Sequence, residues 1–287
     1  MAEIPTTSGQ EPQKPPGVIR VEAASGDLRL HQFTSRIFRN QRFLRVWLPP
    51  GYDDATNRGT RYPILYLNDG QNLFEASTSF TGVDWQVDET AHRLIREGVV
   101  PPMIIVGIDN AGKDRLREYM PHRSLQAMML RVQGSRYPDF LIKEVMPFLA
   151  RNYRVASGPQ NTGLGGSSLG ALISLYTVVQ KPGVVGRLLL ESPSLWASNR
   201  QLVRESNVVT SWPERIFLAV GTAEASSAER SQSVVDDVRE FASILRRRAG
   251  LNDKRLRLVI EDGGSHHESS WARRFPEALT FLFGRME

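Results

Sequence analysis

The chain has 287 residues, of which 40% are hydrophobic and 23% charged, which are the proportions of an ordinary globular protein. Its net charge of +5 comes mostly from arginine, but only Arg246–Arg248 form a tight basic run, within a helical pattern, and this argues against nucleic-acid binding. The lack of cysteine excludes disulfides, thiolate metal sites and a cysteine nucleophile, and no apolar run of about 18 residues predicts a membrane span. No secretory signal is visible, so we expect a cytoplasmic protein, with a periplasmic or secreted location left open.

The chain opens with a polar tail and a predicted β-hairpin. Residues 1–17 are rich in proline, glutamine and threonine, have almost no apolar residues, and predict a disordered segment. Two strand-like runs follow, Leu28–Phe38 and Arg42–Leu48, with a turn near Arg39–Gln41. The runs predict an antiparallel hairpin at the start of the folded part, which we expect to be a single domain over residues 18–287.

Strand-like and helix-like segments alternate from residue 62 to the C-terminus. The strand-like segments are short and apolar on both faces, which is typical of central strands in a parallel sheet. Such alternation predicts a mainly parallel sheet with helices on both faces. The predicted strands are Tyr62–Asn68, Met103–Gly107, 162–166, Arg187–Leu190, Ile216–Val220 and Leu256–Ile260, and the predicted helices are Val87–Glu97, Phe140–Ala150, Leu169–Val179, Gln201–Ser206, Val234–Ala249 and Ala272–Phe283.

A serine between two glycines is the candidate nucleophile. Residues 166–170 read Gly-Ser-Ser-Leu-Gly, a G-x-S-x-G, and a helix-like run begins at Leu169. This pattern is typical of a nucleophile elbow, a sharp turn between a strand and a helix that holds the serine, here Ser168, exposed. The glycines have no Cβ and so allow the chain to bend tightly. The alternative is that Ser168 only packs at the start of a helix.

An acid and a base follow later strands. In open α/β sheets, functional groups lie beyond the carboxyl ends of the strands. Glu224 follows one predicted strand, and His266 and His267 follow the last one, so the chain order is Ser…Glu…His, the order of α/β-hydrolases. In this interpretation Ser168 attacks an acyl carbonyl, one histidine takes its proton, and Glu224 orients the imidazole. A surface role for Glu224, with Asp262 or no acid at all in its place, stays open.

Two backbone N–H groups are the candidate oxyanion donors. The tetrahedral intermediate needs such donors, each worth roughly 3–4 kcal/mol of the barrier. We expect one at Leu169, directly after the candidate nucleophile, and the other at Gln71, after the strand Tyr62–Asn68, where Gly70 allows a close backbone approach. The stretch His266–Glu268 is not a convincing metal site. We expect neither a metal nor a cofactor.

Seven stretches of the chain, taken together, carry a family pattern. They are Trp47–Tyr52, Tyr66–Phe74, Ile105–Asp109, Arg117–Pro121, Phe140–Pro147, Gly166–Ala171 and His266–Trp271. Over about residues 40 to 284 the chain resembles the putative-esterase family of α/β-hydrolases, which contains enterochelin (siderophore) esterases, feruloyl and acetylxylan esterases, and the mycolyltransferases. The resemblance implies an α/β-hydrolase fold, with an antiparallel N-terminal hairpin on a mainly parallel sheet. The family's Asp-Gly or His-Gly oxyanion loop matches Asp69–Gly70 and implies the donor on Gln71.

The resemblance also distinguishes the two histidines and supports the acid. The family pattern has a tryptophan five residues after the catalytic histidine, which matches His266 with Trp271 and selects His266 over His267. The family's acid follows a Gly-Thr or Gly-Ser strand end, which matches Gly221–Thr222 before Glu224. Some siderophore esterases of this group work without the acid, so a serine–histidine dyad is the alternative.

The substrate pocket is expected beside the long polar segment Asn110–Arg136, which follows a central strand. Its Arg115 and Arg117 are candidates to bind an anionic or catecholate substrate, and the alternative is pairing with nearby carboxylates. Trp85 and Trp196 are candidates to line an aromatic pocket, and the alternative is that they belong to the core.

The sequence therefore predicts a serine carboxylesterase that forms an acyl-enzyme on Ser168. Its expected partner is a small-molecule ester: a siderophore, a feruloyl or acetyl ester of a carbohydrate, or another small ester. We expect no nucleic-acid or membrane partner, and the oligomeric state is left open. One alternative is acyl transfer by the same triad, and another is a catalytically inactive binding protein on this fold.

Overall fold

A computed structural model describes residues 18–22, 25–123 and 131–285 of the chain. The tail predicted over residues 1–17 lies outside these ranges. Within them the strands are β1 Val18–Glu22, β2 Asp27–Ser35, β3 Asn40–Leu48, β4 Ile64–Asn68, β5 Ile104–Ile108, β6 Thr162–Ser167, β7 Arg187–Glu191, β8 Arg215–Ala223 and β9 Leu256–Ser265. The helices there are α1 Val87–Arg96, α2 Arg115–Tyr119, α3 Tyr137–Phe140, α4 Met146–Asn152, α5 Leu169–Gln180, α6 Ala197–Ser206, α7 Ala228–Ala249 and α8 Glu268–Phe283.

The nine strands of the described ranges form one sheet, in the order β1-β2-β3-β5-β4-β6-β7-β8-β9. The pairs β1–β2, β2–β3 and β3–β5 are antiparallel, and every later pair is parallel. The predicted α/β-hydrolase fold, a mainly parallel sheet with an antiparallel N-terminal hairpin, is confirmed. Strand β1 was not predicted, because it is a run of five residues directly after a polar tail and it pairs at the edge of the sheet.

Helices cover both faces of the sheet, and strand β4 shows how. Ile64 and Tyr66 belong to a core shared with helices α3 to α7, whereas Leu65 and Leu67 belong to a core shared with α1 and α8. Both faces of β4 are buried, which is why its sequence is continuously apolar instead of alternating. Burying one such side chain is worth roughly 1.5–3 kcal/mol, so the two cores hold the centre of the sheet firmly. No helix in the described part of the chain is long and apolar enough to cross a membrane.

The helix predicted over Phe140–Ala150 is longer and interrupted. It begins at α3, widens into a π-helical turn over Leu141–Val145, and continues as α4. Pro147 lies in the first turn of α4 and has no N–H to donate to the preceding turn, which gives a physical reason for the change of helix type.

Two strands extend beyond their predicted ends. Strand β8 continues to Ala223 and strand β9 continues to Ser265, past the apolar residues that predicted them. The extensions stay paired, since Ala223 lies opposite Ser265 after an irregularity in the register. They bring the next residues in sequence, Glu224 and His266, to neighbouring positions at the carboxyl edge of the sheet.

Candidate active site

Ser168 lies in a strained turn between β6 and α5. Its backbone has φ 56° and ψ −124°, a conformation that costs a residue other than glycine on the order of 1–3 kcal/mol. The turn is held because the Ser168 N–H donates to the carbonyl of Glu191 at 2.9 Å. A Cβ at Gly170 would lie 3.0 Å from the carboxylate of Asp69 and 3.1 Å from Asn68, so this glycine lets the elbow pack against the end of β4. The predicted strand–turn–helix arrangement of a nucleophile elbow is present.

The acid and the base form a close pair. His266 Nδ1 lies 2.6 Å from Glu224 Oε2, and the donor is assigned to the imidazole because the carboxylate accepts. Glu224 Oε1 also accepts from Ser192 Oγ and from the backbone N–H of Gly221, each at 2.7 Å. Burial alone would raise the pKa of Glu224, but these three hydrogen bonds outweigh it and hold that pKa below its ordinary value. The lowered pKa favours the ionised carboxylate where it accepts the hydrogen bond from the imidazole.

The three triad candidates line one cavity of about 640 Å³. Ser168 lines it with its Oγ 3.3 Å from Ser194 Oγ. Glu224 and His266 line the same cavity. Among the described residues, no hydrogen bond joins Ser168 to the imidazole. Catalytic hydrogen bonds are often long without substrate and tighten in the reacting complex, so the arrangement is compatible with a serine–histidine pair.

The two neighbouring histidines have different environments. His267 is the N-cap of α8, where its Nδ1 accepts from the backbone N–H of Ser269 at 3.2 Å. His266 instead faces the cavity and packs edge-on against Trp271, with ring centroids 5.2 Å apart. The indole N–H of Trp271 donates to Ser192 Oγ at 3.0 Å. The tryptophan five residues after His266 thus contacts the candidate base and Ser192, a hydrogen-bond partner of the candidate acid.

The buried polar residues next to Glu224, which are Ser192, Glu191 and Arg274, were not predicted from the sequence. Ser192 is 1% exposed, has a φ of 42°, and links Glu224 to Trp271. Arg274 pairs with Glu191 at 2.8 Å and with Glu261 at 2.6 Å. Burial raises the pKa of Glu191 to about 7, although Arg274 opposes the shift. The signal that could have found Ser192 is its place directly after β7, at the same sheet edge as the other functional groups.

The two candidate oxyanion donors lie at the start of a helix and in the turn after β4. Leu169 is the first residue of α5, so its N–H has no partner within the helix. Gln71 lies in a 3₁₀ turn after β4, and its side chain hydrogen-bonds the backbone of Asn110 at 3.1 and 3.2 Å. A Cβ on Gly70 would lie 2.7 Å from the carbonyl carbon of Gly107, which is why glycine is needed there. Neither candidate N–H donates to a protein acceptor in the described ranges.

Three of the four candidate substrate residues lie away from the cavity. Arg115 Nε and Nη2 each donate to the carboxylate of Asp69 at 2.7 Å, so this side chain stabilises the loop before Gln71. Arg117 lines a separate cavity and donates to the backbone of residue 131 at 2.9 Å. Trp85 is 1% exposed and packs in the core under α1 and α8, as the alternative for it stated. Trp196 is 55% exposed and lines the cavity that contains Ser168.

The chain is similar to known esterases. A family model described as "Putative esterase" matches residues 35–282. Over 257 aligned positions the chain is 26% identical to an uncharacterised protein, YbbA, of Bacillus subtilis (strain 168), covering 86% of this chain and 94% of that protein. Over 214 positions it is 30% identical to the iron(III) enterobactin esterase of Dickeya dadantii (strain 3937), covering 68% of this chain and 43% of the relative. The crystal structure of the enterobactin esterase FES from Shigella flexneri aligns with a TM-score of 0.68 at 18% identity, over 89% of this chain and 58% of that one, which shows a shared fold.

Proposed function

The chain belongs to the putative-esterase family, which makes it an ester-hydrolysing enzyme, and from that premise we propose that it is a serine carboxylesterase that forms an acyl-enzyme on Ser168. The observation that carries the proposal is the hydrogen bond between the buried Glu224 and the partly exposed His266, 2.6 Å long, in the same cavity as a serine held in a strained elbow. Such an arrangement activates a hydroxyl that would otherwise be a poor nucleophile.

The proposed reaction begins with attack of Ser168 Oγ on the ester carbonyl carbon. His266 Nε2 takes the serine proton as the C–O bond forms, and the Glu224 carboxylate stabilises the imidazolium. The backbone N–H groups of Leu169 and Gln71 donate to the oxyanion. His266 then returns the proton to the departing alcohol oxygen, which leaves an acyl-Ser168. Water attacks the acyl carbonyl as His266 takes one of its protons, and that proton passes to Ser168 Oγ when the acyl C–O bond to the serine breaks and the free acid leaves.

Hydrolysis is favoured over acyl transfer by the exposure of the base. The side chain of His266 is 37% exposed, so water reaches the group that would activate it. An acyltransferase would need a drier site, in which an alcohol competes successfully with water for the acyl-enzyme. Product analysis with an added alcohol separates the two, and we expect the free acid to dominate.

The proposed substrate class is a small carboxylic ester. The name of the Dickeya relative connects it with iron(III) enterobactin, and we extend that to a siderophore ester as one candidate substrate for this chain. The exposed indole of Trp196 in the cavity suits an aromatic or other flat apolar group, which a feruloyl ester would also supply. An acetyl ester of a carbohydrate is a third candidate, but its acetyl group is too small to pack over the Trp196 indole.

The test is hydrolysis of an ester panel by the wild type and by Ser168→Ala. The panel contains p-nitrophenyl acetate and butyrate, methyl ferulate and a catecholate siderophore, and a fluorophosphonate probe with peptide mapping identifies the labelled residue. Ser233→Ala is the matched control, because Ser233 lines the same cavity on an exposed helix face. We expect Ser168→Ala to lose both turnover and labelling while Ser233→Ala keeps them. Full turnover by Ser168→Ala, or labelling at Ser233, would contradict the mechanism.

A further inference from the structure

The cavity that contains Ser168 has an uneven lining beyond the triad. Carbon surface predominates in the lining, and the apolar side chains there are small or flat. A single guanidinium faces this surface, that of Arg230, in the first turn of α7. The apolar lining residues are Pro193, Trp196, Ala225 and Val234.

Both carboxylates that line the cavity already have cationic or donor partners. Glu224 is held by His266 at 2.6 Å, and Asp237 pairs with Arg200 at 2.9 Å. Neither lies within ion-pair distance of Arg230. Through the described part of the chain, the Arg230 guanidinium makes neither an ion pair nor a hydrogen bond, and the residue is exposed. Among the described lining residues, Arg230 is therefore a cation without an ion-pair partner.

Helix stability does not explain this arginine. The N-cap hydrogen bond at this end of α7 is made by the backbone N–H of Arg230 to Ser227 Oγ, at 3.3 Å, and needs no particular side chain at position 230. A cation in the first turn of a helix is disfavoured by the helix dipole. The side chain is thus placed where it opposes the local field of its own helix and faces the cavity.

We propose that the cavity binds esters that carry a carboxylate, with Arg230 as the residue that binds it and Trp196 as the surface against which the apolar part of the substrate packs. This inference rests on the proposed esterase function and names the substrate class of that site. A guanidinium binds a carboxylate through two parallel N–H donors, which fixes the orientation of the substrate as well as its charge. The cavity volume of about 640 Å³ is within the range of sites that bind small molecules, so it can hold a small ester that carries a carboxylate.

The substrate carboxylate can belong to the acyl group or to the alcohol, and two pairs of esters distinguish these sources. For the acyl side, the pair is mono-p-nitrophenyl adipate and p-nitrophenyl heptanoate. For the alcohol side, the pair is O-butyryl lactate and O-butyryl lactamide, followed by acid release at constant pH. In each pair only the charge differs substantially. Ser168→Ala provides the background rate for each compound.

The measured quantity is the ratio of kcat/KM for the charged ester to kcat/KM for its neutral partner. We expect the wild type to favour the charged ester by at least about tenfold in one pair, since charge-assisted hydrogen bonds discriminate to that extent. Arg230→Gln should lower that ratio about ten- to a hundredfold, mainly through KM, and Arg230→Lys should retain part of it. Added salt should lower the wild-type ratio. Arg247→Gln, an exposed substitution near the other end of α7, is the matched control and should leave the ratio unchanged.

The outcomes separate the two proposals. Serine-dependent hydrolysis without a preference for charge in either pair, or a ratio that Arg230→Gln leaves unchanged, overturns the carboxylate proposal while the esterase mechanism stands. Undiminished hydrolysis by Ser168→Ala overturns the mechanism itself.

Discussion

At the scale of single residues, the candidate site contains a carboxylate, that of Glu224, which is buried and whose pKa is lowered. Glu224 is 9% exposed, and all three of its hydrogen-bond donors, His266, Ser192 and the Gly221 N–H, are supplied by the protein. Ionisation of a buried acid is favourable only when such donors replace water. The geometry therefore favours a full triad over the serine–histidine dyad that the sequence left open.

Replacing Glu224 by glutamine should leave the fold intact and slow the reaction. The amide has the same shape, but its NH₂ group cannot stabilise the imidazolium and can hold His266 in the wrong tautomer. We expect kcat on p-nitrophenyl butyrate to fall by about 10²–10⁴-fold, with KM changed little. Asp262→Asn is the control for the alternative acid on the neighbouring loop, and it should retain most of the activity. The reverse order of these two variants would reassign the acid.

At the scale of elements, one buried side chain connects the segment after His266 with the oxyanion loop, the turn Gly70–Asn72. Glu268, at the start of α8, is 4% exposed, and its carboxylate accepts from Asn72 at 3.2 Å and from Thr81 at 2.8 Å. Asn72 follows Gln71, and Glu268 lies two residues after His266. The elements that carry the candidate oxyanion donor Gln71 and the candidate base His266 thus share a hydrogen-bonded contact.

Removing this contact should cost both stability and activity. Glu268→Ala leaves two polar groups without their acceptor, and we expect the free energy of unfolding in urea to fall by about 1–3 kcal/mol. The kcat should fall with it, because the loops of Gln71 and His266 are then held less firmly. Glu277→Ala, on the half-exposed side of the same helix, is the control and should change the unfolding free energy by less than about 0.5 kcal/mol. Equal effects of the two variants would remove the role given to Glu268.

A second prediction at this scale concerns the close approach of the oxyanion loop to β5. A Cβ at position 70 would lie 2.6 Å from Asp109 Oδ1 and 2.7 Å from the Gly107 carbonyl carbon. Gly70→Ala should therefore displace the turn that carries Gln71, lower the free energy of unfolding by about 1–3 kcal/mol, and reduce kcat more than KM. Gly59→Ala is the matched control, since a Cβ there meets no atom within 4 Å. An active and fully stable Gly70→Ala variant would show that the turn tolerates the methyl group.

At the scale of the whole molecule, the sequence predicted the features of a parallel sheet that do not depend on strand order, namely its strands, its helices and the residues that follow the strands. It did not predict contacts between residues that are far apart in the chain. The strand–helix alternation and the carboxyl-edge rule pointed to Ser168, to Glu224 and to the pair His266–His267, because these residues follow strands, and the family resemblance was needed to choose His266. They could not predict that Arg115 would be paired with Asp69, since the two are 46 positions apart and meet only in the folded chain. The burial of Trp85 depends in the same way on the packing of α8.

The ionised state of Glu224 also makes global stability depend on pH. The pKa of Glu224 is lower in the folded chain than the value of about 4.3 expected in the unfolded chain. The contribution of this carboxylate to the free energy of unfolding is therefore fully present above the unfolded pKa and is lost as the pH falls through the folded pKa. The difference in unfolding free energy between the wild type and Glu224→Gln should therefore shrink as the pH is lowered from 6 towards 3. Glu229→Gln, an exposed change on α7, is the control and should give a small difference throughout. A difference for Glu224→Gln that stays constant over this range would contradict the assignment.

The strand order has a consequence for how the enzyme loses activity on heating. Ser168 follows β6, which lies in the interior of the sheet, whereas His266 follows β9, which is an edge strand paired with β8. Edge strands open more readily than central ones, so partial opening would carry away the base while the nucleophile stays in place. We therefore expect half of the esterase activity to be lost reversibly several degrees below the midpoint of the circular dichroism transition. The highest working temperature of the enzyme would then be set by the edge of its sheet, and a change that strengthens the β8–β9 pairing would raise that temperature without altering the residues of the site.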